Sequence, residues 1–224
     1  SAENIRNSAQ ALVAMMEKAD RKHDRTGDAR LLWGLTELNV TYANPDRKID
    51  GIGNASFLGG QFMAEVFGIG MELGAFTIVP WCINETDRVR TDFGYLGLPP
   101  KFHPRSSYYH MQMMAQNMGG EFMATASNQP HVKTIGSRGD SNICVLIMSQ
   151  SQTSDYDFEI LLNGEGQSQK PLTIRADAGL DKTVRGVILG QTTMLYVLSK
   201  EGEVKKLYEY GLVQNMAQQP PVVE

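Results

Sequence analysis

Cysteine is nearly absent from this 224-residue sequence, which holds only Cys82 and Cys144. Both sit in apolar contexts, Pro80-Trp81-Cys82-Ile83 and Ile143-Cys144-Val145. Two such thiols exclude a disulfide framework, carry no metal-ligand spacing, and read as buried free cysteines. An excess of one charge is also lacking. With 21 Lys and Arg against 25 Asp and Glu the net charge is −4, and without a basic run there is no electrostatic footprint for nucleic acid or for an anionic membrane. No apolar run is long enough to span a bilayer. The N-terminus shows no basic-then-apolar leader; such a leader is removed on maturation, so the compartment stays open, with an extracellular or periplasmic location favoured. The histidines His23, His103, His110 and His131 have no partners at metal-ligand spacing, so neither a metal nor another cofactor is expected. Nor is there an internal repeat of about 20 to 50 residues. What is present is 42% hydrophobic residues, enough for one large domain or a domain and a half.

The chain changes periodicity near residue 128. Before it, Ile5, Ala9, Leu12 and Met16 recur at helical spacing, and a polar stretch from His23 to Asp28 ends that helix. The unbroken apolar run Leu31-Leu32-Trp33-Gly34-Leu35-Thr36 suits a strand covered on both faces. After a turn-rich loop from Asn39 to Gly53, Ser56 opens a second helix with Leu58, Phe62, Val66, Ile69 and Leu73 on one face and Gly74 at its C-cap. Its internal glycines predict close packing against a sheet. A second buried strand, Ala75-Phe76-Thr77-Ile78-Val79-Pro80-Trp81, follows directly. A third helix is predicted over Ser106 to Met118, with Tyr108, Met111, Ala115 and Met118 on its core stripe, which leaves His110 on the surface or at an interface. From His131 onward period-two runs with turns between them predict an antiparallel sandwich of seven or eight strands, a hairpin tip at Lys200-Glu201-Gly202-Glu203, and an extended, poorly packed tail from Gln218. The expected fold class is therefore α/β plus all-β, with residues 1–128 as one domain and 129–224 as the other.

Helix, strand, helix, strand in short succession is βα-repeat architecture. Glu37 follows the first buried run and so lies at the C-terminal end of a parallel strand, where barrel enzymes place catalytic groups; a capping or solvated carboxylate is the plainer reading. Trp81 closes the second strand, either as a core residue or as a stacking platform for the C–H face of a sugar ring. Asn39, Tyr42 and Asn44 lie on the loop that leaves the first strand. They offer hydrogen bonds to hydroxyl groups or serve simply as turn residues, as Asn44 does before Pro45. Glu85 and Asp87 border the same end of the second strand or stand there as solvated carboxylates. The glycines of Gly51-Ile52-Gly53-Asn54 lack the Lys-Ser/Thr that would make a phosphate loop, so nucleotide binding is discounted.

The stretches Trp33-Gly34-Leu35-Thr36-Glu37-Leu38-Asn39 and Phe76-Thr77-Ile78-Val79-Pro80-Trp81 resemble the seventh and eighth strands of retaining (β/α)8-barrel glycoside hydrolases. Asp92-Phe93-Gly94-Tyr95-Leu96 and Ser107-Tyr108-Tyr109-His110-Met111-Gln112-Met113-Met114-Ala115 resemble the end of the barrel in β-xylosidase-like, α-L-iduronidase-like and arabinofuranosidase-like members, in which a C-terminal β-sandwich follows. The resemblance implies the last two βα units of a barrel, Glu37 as the nucleophile, and Trp81, Asn39, Tyr42 and Glu85 as sugar-binding residues acting on an oligo- or polysaccharide. It also implies an acid/base glutamate in an Asn-Glu pair on strand four. Only one helix and one strand precede Glu37, and Asn84-Glu85 follows strand eight, so that second carboxylate is missing. A complete barrel needs about 250 residues. The expected partner is therefore a companion chain or an N-terminal segment carrying strands one to six. The alternative is a non-catalytic carbohydrate-binding or assembly module, and a purely structural sandwich protein would show no sugar affinity.

Overall fold

The computed structural model describes residues 1–40, 53–85, 93–166 and 168–224. The first element, α1 (Ala2–Lys22), starts on the Ser1 side chain as N-cap, with Glu3 in the first turn and Arg21 and Lys22 in the last, where each charge opposes the helix dipole. The buried Asp20 carboxylate accepts the Leu31 N–H at 3.2 and 3.3 Å, which ties the end of α1 to the chain entering the first strand. That strand, β1 (Gly34–Leu38), pairs in parallel with β2 (Thr77–Pro80). Between them α2 (Phe57–Leu73) runs from its Ser56 cap, whose Oγ accepts the Gly59 N–H at 2.9 Å, to Gly74 in the left-handed region at φ 66°. These are the caps read from the sequence. The β1–α2–β2 unit has the helical crossover that parallel strands require.

The helix α3 (Ser106–Asn117) buries Ser106, Tyr109, His110, Met113 and Met114. This corrects the predicted stripe: Tyr108, Met111 and Met118 are only half-buried and Ala115 is exposed. The inward face is set by two polar residues, Ser106 and His110, which a rule that counts only apolar side chains passes over.

The remaining strands are β3 (Glu121–Met123), β4 (Thr125–Ser127), β5 (Val132–Arg138), β6 (Ile143–Ser149), β7 (Tyr156–Leu161), β8 (Leu172–Ala176), β9 (Thr183–Ile188), β10 (Thr192–Leu198), β11 (Val204–Gly211) and β12 (Val222–Val223), with the short helix α4 (Leu212–Met216) before β12. They form a six-stranded sheet in the order β12-β11-β10-β6-β5-β3 and a four-stranded sheet in the order β4-β8-β7-β9, mostly antiparallel. The two sheets stack around Ile143, Val145, Ile147, Phe158, Ile160, Ile174 and their neighbours as a β-sandwich. Strands β3 and β4 already belong to these sheets, so sandwich pairing begins before the switch near residue 128. The tail is extended with exposed side chains, as predicted, and it is also paired: β12 bonds to Tyr208 and Glu209 of β11, and Glu224 exchanges two backbone hydrogen bonds with Leu207.

The six-stranded sheet is covered on both faces. Along β6, Ile143, Val145 and Ile147 point into the sandwich while Cys144, Leu146 and Met148 point toward α2 and α3; β10 divides likewise, with Met194, Tyr196 and Leu198 on one side and Leu195 and Val197 on the other. This explains why all seven residues of each strand are buried. The Cys144 thiol is buried as the sequence predicts, and burial pushes its pKa up to about 11. Cys82 is only half-buried.

A polar joint crosses this second interface. His110 Nδ1 donates to the Ser106 carbonyl at 2.8 Å, so its Nε2 is the bare nitrogen and accepts the Thr193 hydroxyl at 2.8 Å. The Gln61 amide donates to Thr193 Oγ1 at 3.1 Å and to the Ser149 and Thr192 carbonyls at 3.2 and 3.3 Å. Gln61, Ser106, His110 and Thr193 are all fully buried, which overturns the surface or interface placement predicted for His110. Gly60 allows the approach, because a Cβ there would stand 2.1 Å from Ser106 Oγ and 2.6 Å from His110 Nδ1.

Two outcomes follow from this joint. Gly60→Ala should lower folding stability by about 1–3 kcal/mol through overpacking, read from urea denaturation. Burial lowers the His110 pKa from 6.5 to about 4. Above pH 6.5 the neutral ring contributes its full stability, and between pH 6.5 and 4 the unfolded chain takes up a proton that the folded chain does not. About 3 kcal/mol should therefore be lost over that window. Glu65, whose carboxyl is raised by burial, works in the opposite sense. The measurement is thus the difference between native chain and His110→Gln at each pH, and a difference constant from pH 7.5 to 4.5 would refute the assignment.

Candidate functional site

The site follows from where β1 and β2 end. Ile78 of β2 lies against α2, its δ-methyl 2.3 Å from where a Cβ on Gly70 would stand. Leu35 is paired with Ile78 and shares that face. The next matched pair is Leu38 with Pro80, so β1 advances three residues while β2 advances two. Ile78 and Pro80 are two apart and point the same way, which brings Leu35 and Leu38 both toward α2. The extra residue leaves Thr36 and Glu37 consecutive on the opposite, open face, and both are exposed. A bulge of this kind re-aims a side chain at a strand end. In a strictly alternating strand Glu37, two residues after Leu35, would face the helix.

Val79 and Trp81 point to the same open face as Glu37, and Trp81 is 49% exposed. The Trp81 N–H donates to the Leu38 carbonyl at 2.8 Å, and the peptide that follows it is cis. Asn39 turns back across the strand ends, its amide donating to the Trp81 carbonyl and, at 2.7 Å, to the Phe93 carbonyl. Glu85 accepts the Phe93 N–H at 3.0 Å. Glu37, Asn39, Trp81 and Glu85 are thus gathered at one end of the β1–β2 pair. Tyr42, Asn44 and Asp87, also singled out in the sequence, lie outside the described residues. The sequence does not disclose the bulge, since it exists only as a mismatch in register between two strands.

Apolar side chains around the β1–β2 pair are exposed as well: Phe76 is 73% exposed and Leu32 70%, with Ile83 also exposed. Among the described residues no strand pairs with the outer edge of either β1 or β2. Trp33, by contrast, is buried, its indole N–H donating to the Leu73 carbonyl at 2.8 Å. A hollow of about 360 Å³ lies between α1, α2 and the six-stranded sheet and is lined by Glu3, Arg6, Glu65, Glu72 and Lys133; none of the predicted site residues borders it. Among the described residues no group of three His, Cys, Asp or Glu side chains is arranged to hold a metal ion.

No family model matches this chain, and no curated protein matches it in sequence. Among solved structures it is similar in fold to an α-L-arabinofuranosidase from Thermotoga maritima in complex with arabinose, at 10% identity and a TM-score of 0.54. The match covers 87% of this chain and 47% of that one, so the chain spans about half the length of its structural neighbour. At this identity the likeness shows a distantly shared fold alone, with mixed α/β content and mostly antiparallel sheets.

The bulge can be tested by thiol chemistry. In a Cys82→Ser background, Glu37→Cys should react with a water-soluble maleimide at close to the rate of the unfolded chain, because the side chain faces solvent. Buried Cys144 should stay unmodified under the same conditions, and a rate at position 37 as slow as that of Cys144 would refute the outward orientation.

Proposed function

We propose that this chain is the C-terminal portion of a retaining glycoside hydrolase acting on an oligo- or polysaccharide, and that Glu37 is its nucleophile. The observation that carries the reading is the carboxylate turned by the bulge onto the open face at the end of β1, beside the exposed indole of Trp81 at the end of β2. The likeness in fold to an arabinofuranosidase supports it. In this reading residues 1–128 supply the last two βα units of a (β/α)8 barrel, and residues 129–224 the sandwich packed on them. A companion polypeptide or preceding segment carries strands one to six, pairs with the free edges of β1 and β2 and covers Leu32, Phe76 and Ile83. An exposed apolar face of this kind is what proteins otherwise avoid.

The chemistry follows from the parts. An ionised Glu37 attacks the anomeric carbon as the glycosidic bond breaks, forming a covalent glycosyl ester, and a second carboxyl group about 5–5.5 Å away protonates the leaving oxygen and then activates water. That second group belongs to the companion. Glu85, the nearest acidic residue to Trp81 in the chain, is engaged with the Phe93 N–H. The same fact favours, as a second reading, a non-catalytic carbohydrate-binding or assembly module that keeps the pocket without the chemistry.

With the missing strands restored, a 2-fluoro glycoside should label Glu37, and Glu37→Gln should bind substrate but lose turnover by several orders of magnitude. Label on another carboxylate, or full activity in the variant, would end the catalytic reading. The 224-residue chain alone should show no hydrolysis and should self-associate or bind a companion in sedimentation; a stable monomer with no partner would count against the open barrel edge.

A further inference from the structure

The strand ends are held by one side chain. The Trp81 peptide group is fixed to β1 on both sides: its N–H donates to the Leu38 carbonyl at 2.8 Å and its carbonyl accepts from the Asn39 amide. The second hydrogen of the same amide goes to the Phe93 carbonyl at 2.7 Å, and Asn39 Oδ1 accepts the Val40 N–H at 2.7 Å. Both donors are spent, and the oxygen already has a partner. Phe93 is held in turn: its carbonyl also accepts the Cys82 N–H at 3.3 Å and its N–H donates to Glu85 at 3.0 Å. From there the chain pairs back along the residues after β2, Tyr95 N–H to the Cys82 carbonyl at 3.0 Å and Leu96 N–H to the Ile83 carbonyl at 2.9 Å.

We infer that Asn39 is a positioning residue, not a sugar ligand: its amide locks the Trp81 backbone and the segment from Phe93 to the end of β1, and so sets where the Trp81 indole stands relative to Glu37. Packing alone does not supply this, because the indole is half-exposed. The requirement is for two donors and one acceptor in a short planar fork facing three backbone groups, which fits an asparagine. Aspartate has the shape but no donor, and it would set a negative charge against two carbonyl oxygens. Glu85 becomes part of the same clamp. The statement about Asn39 and Trp81 stands on the hydrogen bonds alone; only what the positioned ring would meet rests on the proposed function.

The test uses the full chain labelled with 5-fluorotryptophan, which gives two fluorine resonances, one from Trp33 and one from Trp81, assigned with Trp81→Phe. Asn39→Asp should move the Trp81 resonance and leave Trp33, held by its own bond to Leu73, in place. On acidification the protonated aspartate regains one donor, so the Trp81 signal should return part-way. Its midpoint should lie above the usual carboxylate range, because two carbonyl oxygens oppose the charge; the native chain should show no transition with that midpoint. Asn39→Ala should show the shift without the titration, which keeps the test sound if the charged variant unfolds. A Trp81 resonance unmoved in either folded variant, or Trp33 and Trp81 moving together, would overturn the assignment. L-arabinose titrated into the native chain separates the two claims: silence at Trp81 counts against the sugar site and leaves the role of Asn39 to be judged on the variants.

Discussion

The structure depends on burying both faces of one sheet. Strands β6 and β10 have the sandwich core on one side and the helices on the other, and across the helical side the contact is not purely apolar. His110, Thr193, Gln61 and Ser106 form a chain of hydrogen bonds in which the imidazole donates to a carbonyl and accepts from a hydroxyl. Apolar contacts alone tolerate sliding; a buried donor that misses its acceptor costs about 1–3 kcal/mol. The joint therefore specifies one register of α2 and α3 on the sheet, and Phe57 and Tyr210, whose rings lie 5.6 Å from the His110 ring, exclude water around it.

That register governs everything at the strand ends. Helix α2 is apolar around most of its circumference and is buried accordingly. Being held to the six-stranded sheet at Gln61 and to β2 at Gly70, it transmits the position of the sandwich to the β1–β2 pair. One extra residue in β1 then suffices to expose Glu37, and one asparagine suffices to tie Trp81 beside it. The candidate face thus depends on the rigid interior. Around it, Leu32, Phe76, Trp81 and Ile83 are left partly uncovered by any described part of the chain.

Much of the framework was legible from residue patterns. Ser56 and Gly74 marked the ends of α2 because capping depends on local hydrogen bonds and on one left-handed residue. Tyr156, Phe158 and Ile160 marked β7 because alternation needs only one covered face. The helical stripe of α3 was misread by a position or two, since Ser106 and His110 face inward only because Thr193 and Phe57 receive them. Strands β3 and β12 escaped notice for a related reason: three residues or two have no period, and each is a strand only because a neighbour offers an edge.

At the candidate site the division is sharper. The sequence by itself determined the local quantities: that Glu37 sits near the end of an apolar strand, that Trp81 closes another, and that a sandwich of alternating strands follows; that one face of both strands stays open, against the expectation of strands covered on both faces, it did not show. Each of these local quantities depends on a stretch of a few residues and on the intrinsic period of a helix or strand. Tertiary structure alone decided which way Glu37 points, that Asn39 spends its amide on Trp81 and Phe93, and that His110 is buried and neutral. Register, hydrogen-bond partners and desolvation are relations between segments distant in the chain, and nothing in either segment taken singly encodes them.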